Sequence, residues 1–117
     1  YIIKININYE RIFFMNAVQL QKNVEKYEKN IKTELNKLST IVSQINLKQF
    51  NSEDATIEIK KYKKSVENYK KSLNGLNTSL KFLKAQNVMT IEETMSLENL
   101  LQEFQNEFEE TTKYVHL

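Results

Sequence analysis

Proline is absent from these 117 residues, and glycine occurs once, at position 75. Tight turns draw on both: glycine supplies positive φ, and proline pre-sets the first dihedral of the turn. A β-sandwich or an α/β domain needs many such turns, so a chain almost free of them must be built from a few long elements. Helices meet that condition, and a single domain of this length accommodates three. With 40% hydrophobic and 27% charged residues, the chain has material for a modest core and a well-solvated surface.

Periodicity locates the helices. Ala17, Val24, Ile31, Leu38 and Ile45 recur every seven residues, and Leu20, Tyr27 and Ile41 fill the position three residues later. This is an a/d stripe, which holds one helical face against a partner, and it predicts a first helix over about 9–47. Glu34 is the one d position that is not apolar; Leu35 beside it is able to turn inward, and Glu34 is expected at a solvated rim. A polar break follows at 49–54, where Ser52 or Asn51 is expected to cap the next helix. Glu53 and Asp54 then place negative charge at the positive end of its dipole.

The second helix is expected over about 53–84. Ile59, Val66, Leu73 and Leu80 alternate with Tyr62, Tyr69, Leu76 and Leu83, so the seam has no polar member. Gly75 lies inside it at a cost of about 1 kcal/mol relative to alanine, marking either a close helix–helix approach or a kink. After a second break at 84–89, Thr90 and Glu93 have the spacing of a capping box. They open a third helix over about 91–115, striped by Leu97, Leu101, Phe104, Phe108 and Val115. Ile91, Leu100 and Tyr114 widen that stripe, and Thr111 takes one seam position. Isolated helices are marginal in water, and two short connections make neighbours antiparallel. The expected fold is therefore all-α, an antiparallel three-helix bundle over residues 15–117.

Residues 1–14 are set apart as a leader whose status the residues leave open. Tyr1, Ile3, Ile5, Ile7 and Tyr9 alternate with mostly polar neighbours, which is strand periodicity. Such a stretch is a disordered leader, an extension of the first helix, or a segment that adds to a partner. Met15 stands where a start codon could lie.

Chemistry is harder to find. There is no cysteine, and the one histidine is His116, so neither a zinc site of the usual ligands nor a Cys/His nucleophile pair can be assembled from this chain. Glu92–Glu93 and Glu109–Glu110 are adjacent in sequence and diverge by about 100° on a helix. Glu103 and Glu107 share a face but lack a histidine partner of the kind found in helical carboxylate sites. A single glycine excludes the phosphate-binding loops. No catalytic residue, cofactor or metal is expected, and no apolar run approaches the roughly 20 residues that cross a bilayer.

The net charge of +2 conceals a division. Residues 1–50 and 51–88 each hold eight lysines or arginines against four acids, whereas residues 89–117 hold one against seven. An acidic third helix beside two basic ones, complementing them within one bundle, accounts for this. Nucleic-acid binding is not expected, because lysines fall among glutamates and the total is near neutral. The Lys60–Lys61 and Lys63–Lys64 pairs flank Tyr62 and are expected to snorkel from the bundle edge, with anionic lipid as a weaker alternative.

One segment carries a family resemblance. Within Leu100–Thr111, the residues Leu101, Gln102, Glu103, Phe104, Glu107, Phe108 and Thr111 resemble a stretch of the Golgi Qb-SNAREs, the Golgi SNAP receptor complex member 1 family. In that family Leu-Gln is followed by an acid and an aromatic, then Glu-Phe, then a threonine. The order of a long first helix, a polar gap, a second helix opening on Ile57, Glu58 and Ile59, a short linker and this third helix is similar too. The family tends to turn basic after the threonine, where this chain has only Lys113. The resemblance implies an amino-terminal regulatory three-helix domain, Habc-like, on the cytosolic face of the Golgi membrane. It also implies SNARE partners, tethers or regulators as binding proteins, and a SNARE motif and membrane anchor beyond Leu117. The alternative is a structural coiled-coil subunit of a tethering, scaffold or kinetochore-type complex.

Overall fold

The computed structural model describes residues 7–87 and 89–115. Three helices make up the fold: α1 over Ile7–Phe50, α2 over Thr56–Ala85 and α3 over Ile91–Thr112. The all-α three-helix bundle expected from the heptad stripes is what the chain forms. The alternation at Tyr1–Ile5 lies outside the described residues, as does His116. Ile7–Phe14 continue α1 without a break.

Cross-helix pairs fix the directions. Lys48 meets Glu58, the Glu34 carboxylate meets Ser65, and the Tyr27 ring meets Gly75. As the α1 number falls the α2 number rises, so the two are antiparallel. Lys84 pairs with Glu98, and Tyr69 with Phe104, so α3 runs antiparallel to α2 and parallel to α1. By that register α1 outruns α2 at its amino-terminal end. The result is a rod of 67 × 23 × 16 Å with a radius of gyration of 18.8 Å, against about 13 Å for a compact chain of this size.

The core gathers Val24, Ile31, Leu35 and Leu38 of α1, Tyr69, Leu76, Leu80 and Leu83 of α2, and Leu97, Leu101 and Phe104 of α3. Every stripe contributes, because each has two neighbours to meet. Val42, Ile45 and Ala55 are also buried but lie outside that cluster. They belong to the far end of the α1–α2 hairpin, past the point where α3 stops, so the tip there is a two-helix structure. The side chains of Ala17 and Leu20, the first members of the α1 stripe, lie outside those described.

Four expectations are corrected. Glu34 is not at a solvated rim: it is 6% exposed, in the α1–α2 interface, where the Ser65 hydroxyl donates to its Oε1 at 3.2 Å. A second, apolar neighbour was not needed at that position because Leu35 turns into the core. Second, neither Asn51 nor Ser52 caps α2. Ser52 adopts φ 58° in the turn that ends α1, its N–H donating to Gln49 O and that of Glu53 to Lys48 O. The first-turn N–H of Thr56 instead donates to Asp54 Oδ1 at 3.0 Å, and this bond together with one from the Thr56 hydroxyl lowers the Asp54 pKa.

Third, α2 does not bury its whole a/d seam. Ile59, Tyr62, Val66 and Leu73 are half-buried, while Ser65, Ser72 and Ser79, one position earlier in each heptad, are buried, Ser65 against Glu34 of α1. Serving two partners rotates the buried face, and small side chains let the backbones approach. Fourth, Ile91 and Tyr114 do not widen the α3 stripe: they are 79% and 60% exposed. The helix start itself follows expectation, with Glu93 N–H donating to Thr90 Oγ1 at 3.0 Å and Thr90 N–H to Glu93 Oε1 at 2.9 Å.

Candidate interaction surface

The seven residues of the α3 pattern divide by helical geometry. Leu101 and Phe104 are buried in the core, Phe108 is half-buried against it, and Thr111 is half-buried near the end of the helix. Gln102, Glu103 and Glu107 face outward, with Gln102 Nε2 donating to Asn106 Oδ1 at 3.0 Å. The seven do not converge on a pocket. Their apolar members anchor α3 to α2 through Tyr69, which is 2% exposed. The Tyr69 ring stacks on Phe108 with centroids 4.2 Å apart and planes 2° from parallel, and its hydroxyl donates to Phe104 O at 3.3 Å. Burial, then the nearby Glu109 and Glu107 charges, push the Tyr69 pKa up to about 12. Tyr62 is also raised by burial, against a hydrogen bond with Thr112.

Charge is distributed by flank. α2 carries eight lysines against Glu58 and Glu67, and α3 carries seven glutamates and no basic residue. Yet one ion pair alone joins α3 to another helix among the described residues, Lys84–Glu98 at 3.6 Å. The remaining α3 glutamates are exposed, and none of them pairs with a lysine of α1 or α2 among the described residues.

Lys70 lines a hollow with Gln105 of α3, whereas Lys37 of α1 and Lys61, Lys64 and Lys71 of α2 border the flank of the hairpin that faces away from α3. There Glu34, Lys37 and Ile41 of α1 and Lys61, Lys64 and Ser65 of α2 line an open groove of about 600 Å³. A second hollow of about 350 Å³ shares Glu34, Lys37 and Asn68 with it and carries it on past Asn30 and Thr33 to Lys71 and Ser72. No α3 residue lines either one. Heptad reading passed over this flank because it tracks apolar seams; the recurrence of Ser65, Ser72 and Ser79 at seven-residue spacing was the available signal. Glu34 is the one carboxylate in the lining. It accepts from Ser65 and lies 3.9 Å from Lys37 Nζ.

The described residues contain no group of three or more histidine, cysteine or acidic side chains that could hold a metal ion, and no helix among them is long and apolar enough to cross a membrane. Comparison with known protein families, curated proteins and solved structures finds no match to this chain.

Proposed function

We propose that this chain acts by binding other proteins and not by catalysis, as the amino-terminal regulatory domain of a Golgi SNARE in vesicle docking and membrane fusion. The observation that carries the binding reading is the division of labour between flanks. The apolar stripes of the three helices close on one another, and a lysine-bordered groove stays open along the hairpin. The finer assignment is supported by the third-helix pattern from Leu101 to Thr111 and by the order of the helices. It is tested on the coding sequence beyond Leu117. A further heptad region with a central glutamine, followed by roughly 20 apolar residues, is the expected result. A frame that continues without them removes the SNARE assignment and leaves the binding reading standing.

One observation favours a second reading, a structural subunit of a tethering or scaffold assembly. The 67 Å length and the overrun of α1 past α2 suit a chain that spans distance. Light scattering separates the two: an elongated dimer supports the scaffold, and a monomer of 13.9 kDa supports the domain.

A further inference from the structure

We propose that the α1–α2 groove facing away from α3 is a docking site for a carboxylate-rich amphipathic helix supplied by another protein. The inference rests on the binding reading above and names the chemistry of the partner.

The hairpin already holds one such helix. α3 lays Leu97, Leu101 and Phe104 against α1 and α2 while carrying seven glutamates on its remaining surface. The opposite flank offers similar features without an occupant from this chain. In the larger hollow the exposed lining is largely carbon, with Ile41 at one end and the stems of the lysines along the sides, while the smaller hollow is about half polar. From Asn30 to Ile41 the groove follows α1 for about 16 Å, or three turns of an α-helix. The apolar face of an amphipathic helix of that length meets Ile41 at one end and the lysine stems along the rest.

The rim selects the charge of the occupant. Lys37, Lys61, Lys64 and Lys71 stand around the groove, and the one carboxylate among its lining residues, Glu34, is already engaged from below by the Ser65 hydroxyl. Glu67 pairs with Lys64 at 4.0 Å and Lys71 at 3.2 Å, but these are exposed contacts that a new carboxylate can replace. Lys61 makes no ion pair among the described residues. A basic helix is repelled by this rim; an acidic one is attracted and oriented by it. The mostly carbon lining of the larger hollow, with no aromatic side chain in either hollow on which a base could stack, suits a helix better than a single-stranded nucleic acid.

The test uses the full chain and a fluorescent synthetic peptide with leucines on one face and glutamates on both edges. Its counterpart has lysines in place of the glutamates. Anisotropy titrations are expected to show binding of the acidic peptide alone, weakening as salt rises. K61E/K64E is expected to weaken it roughly tenfold, with K81E, on α2 outside the groove, unchanged. Circular dichroism confirms that each variant stays helical. No binding of the acidic peptide, equal binding of the lysine peptide, or equal loss in K81E overturns the proposal. So does self-association of the chain that K61E/K64E abolishes, which would make a second copy the occupant. Preferential binding of single-stranded oligonucleotide or anionic vesicles through the same lysines also overturns it. Acidic-peptide binding undiminished in K61E/K64E rejects this groove but not the binding reading, and the SNARE assignment is judged separately beyond Leu117.

Discussion

The ring of Tyr27 occupies the space where a β-carbon on Gly75 would stand, its nearest carbon 2.5 Å from that position. The glycine is there for contact. Alanine at 75 would gain about 1 kcal/mol of helix propensity, but the displaced ring costs about 1–3 kcal/mol in a packed interface. G75A is therefore expected to destabilise the bundle by about 1 kcal/mol in denaturant unfolding. In a Y27A background the same change is expected to stabilise it. Equal effects in both backgrounds would mean that the ring and the glycine do not interact.

Glu34 and Ser65 give two substitutions of opposite sign. S65A removes the hydroxyl that donates to a buried carboxylate, and a hydrogen bond to a charged group contributes about 1.5–3 kcal/mol. E34L restores an apolar d residue and discards the buried charge, a replacement that is often neutral or stabilising. Urea midpoints are expected to fall for S65A and to hold or rise for E34L. A drop for both would place the value of Glu34 elsewhere.

Tyr69 supplies a pH dependence. Its folded pKa of about 12 lies above the ordinary value of 10.0, so the folded state holds the proton more tightly than the unfolded chain. The stabilisation is complete below pH 10 and is lost as pH rises through 12. Two units correspond to about 2.7 kcal/mol. Chemical denaturation between pH 9 and 12 is expected to show a decline that is shallower in Y69F. That variant also starts about 1 kcal/mol less stable, having lost the bond to Phe104 O. An identical slope in Y69F would mean that Tyr69 is not the group whose proton is lost.

The capping box at Thr90 and Glu93 governs how firmly α3 begins. T90A leaves the Glu93 N–H without its acceptor and is expected to cost about 1 kcal/mol. Hydrogen exchange is expected to quicken in the first turns of α3 before it does in α2. Uniform acceleration across all three helices would mean that α3 does not open on its own.

Heptad spacing located all three helices and most of their core, because burial of Ile31, Leu38, Leu76 and Leu101 follows from one apolar face per helix. It failed where a helix serves two partners. Ser65, Ser72 and Ser79 are polar by type but small enough to be buried, and no hydropathy scale marks them. Glu34 was misplaced for the same reason: its burial depends on a serine thirty-one residues away. Capping preference does not locate the start of α2, because Asp54, and not Ser52, reaches the free N–H of Thr56. The α3 pattern was legible as residues, and packing divides them: Leu101 and Phe104 are buried, whereas Gln102, Glu103 and Glu107 are exposed. The groove could not be read from spacing, since it arises from lysines on two antiparallel helices brought together by their register.

The gathering of seven glutamates and no basic residue on α3, beside an α2 with eight lysines and two acids, has an electrical consequence. A net charge of +2 suggests weak long-range forces, yet the molecule carries a transverse dipole. At physiological ionic strength its field reaches about 8 Å beyond the surface, enough to rotate an approaching protein before contact. Acidic and basic partners would thus arrive on different sides and need not compete for the same approach.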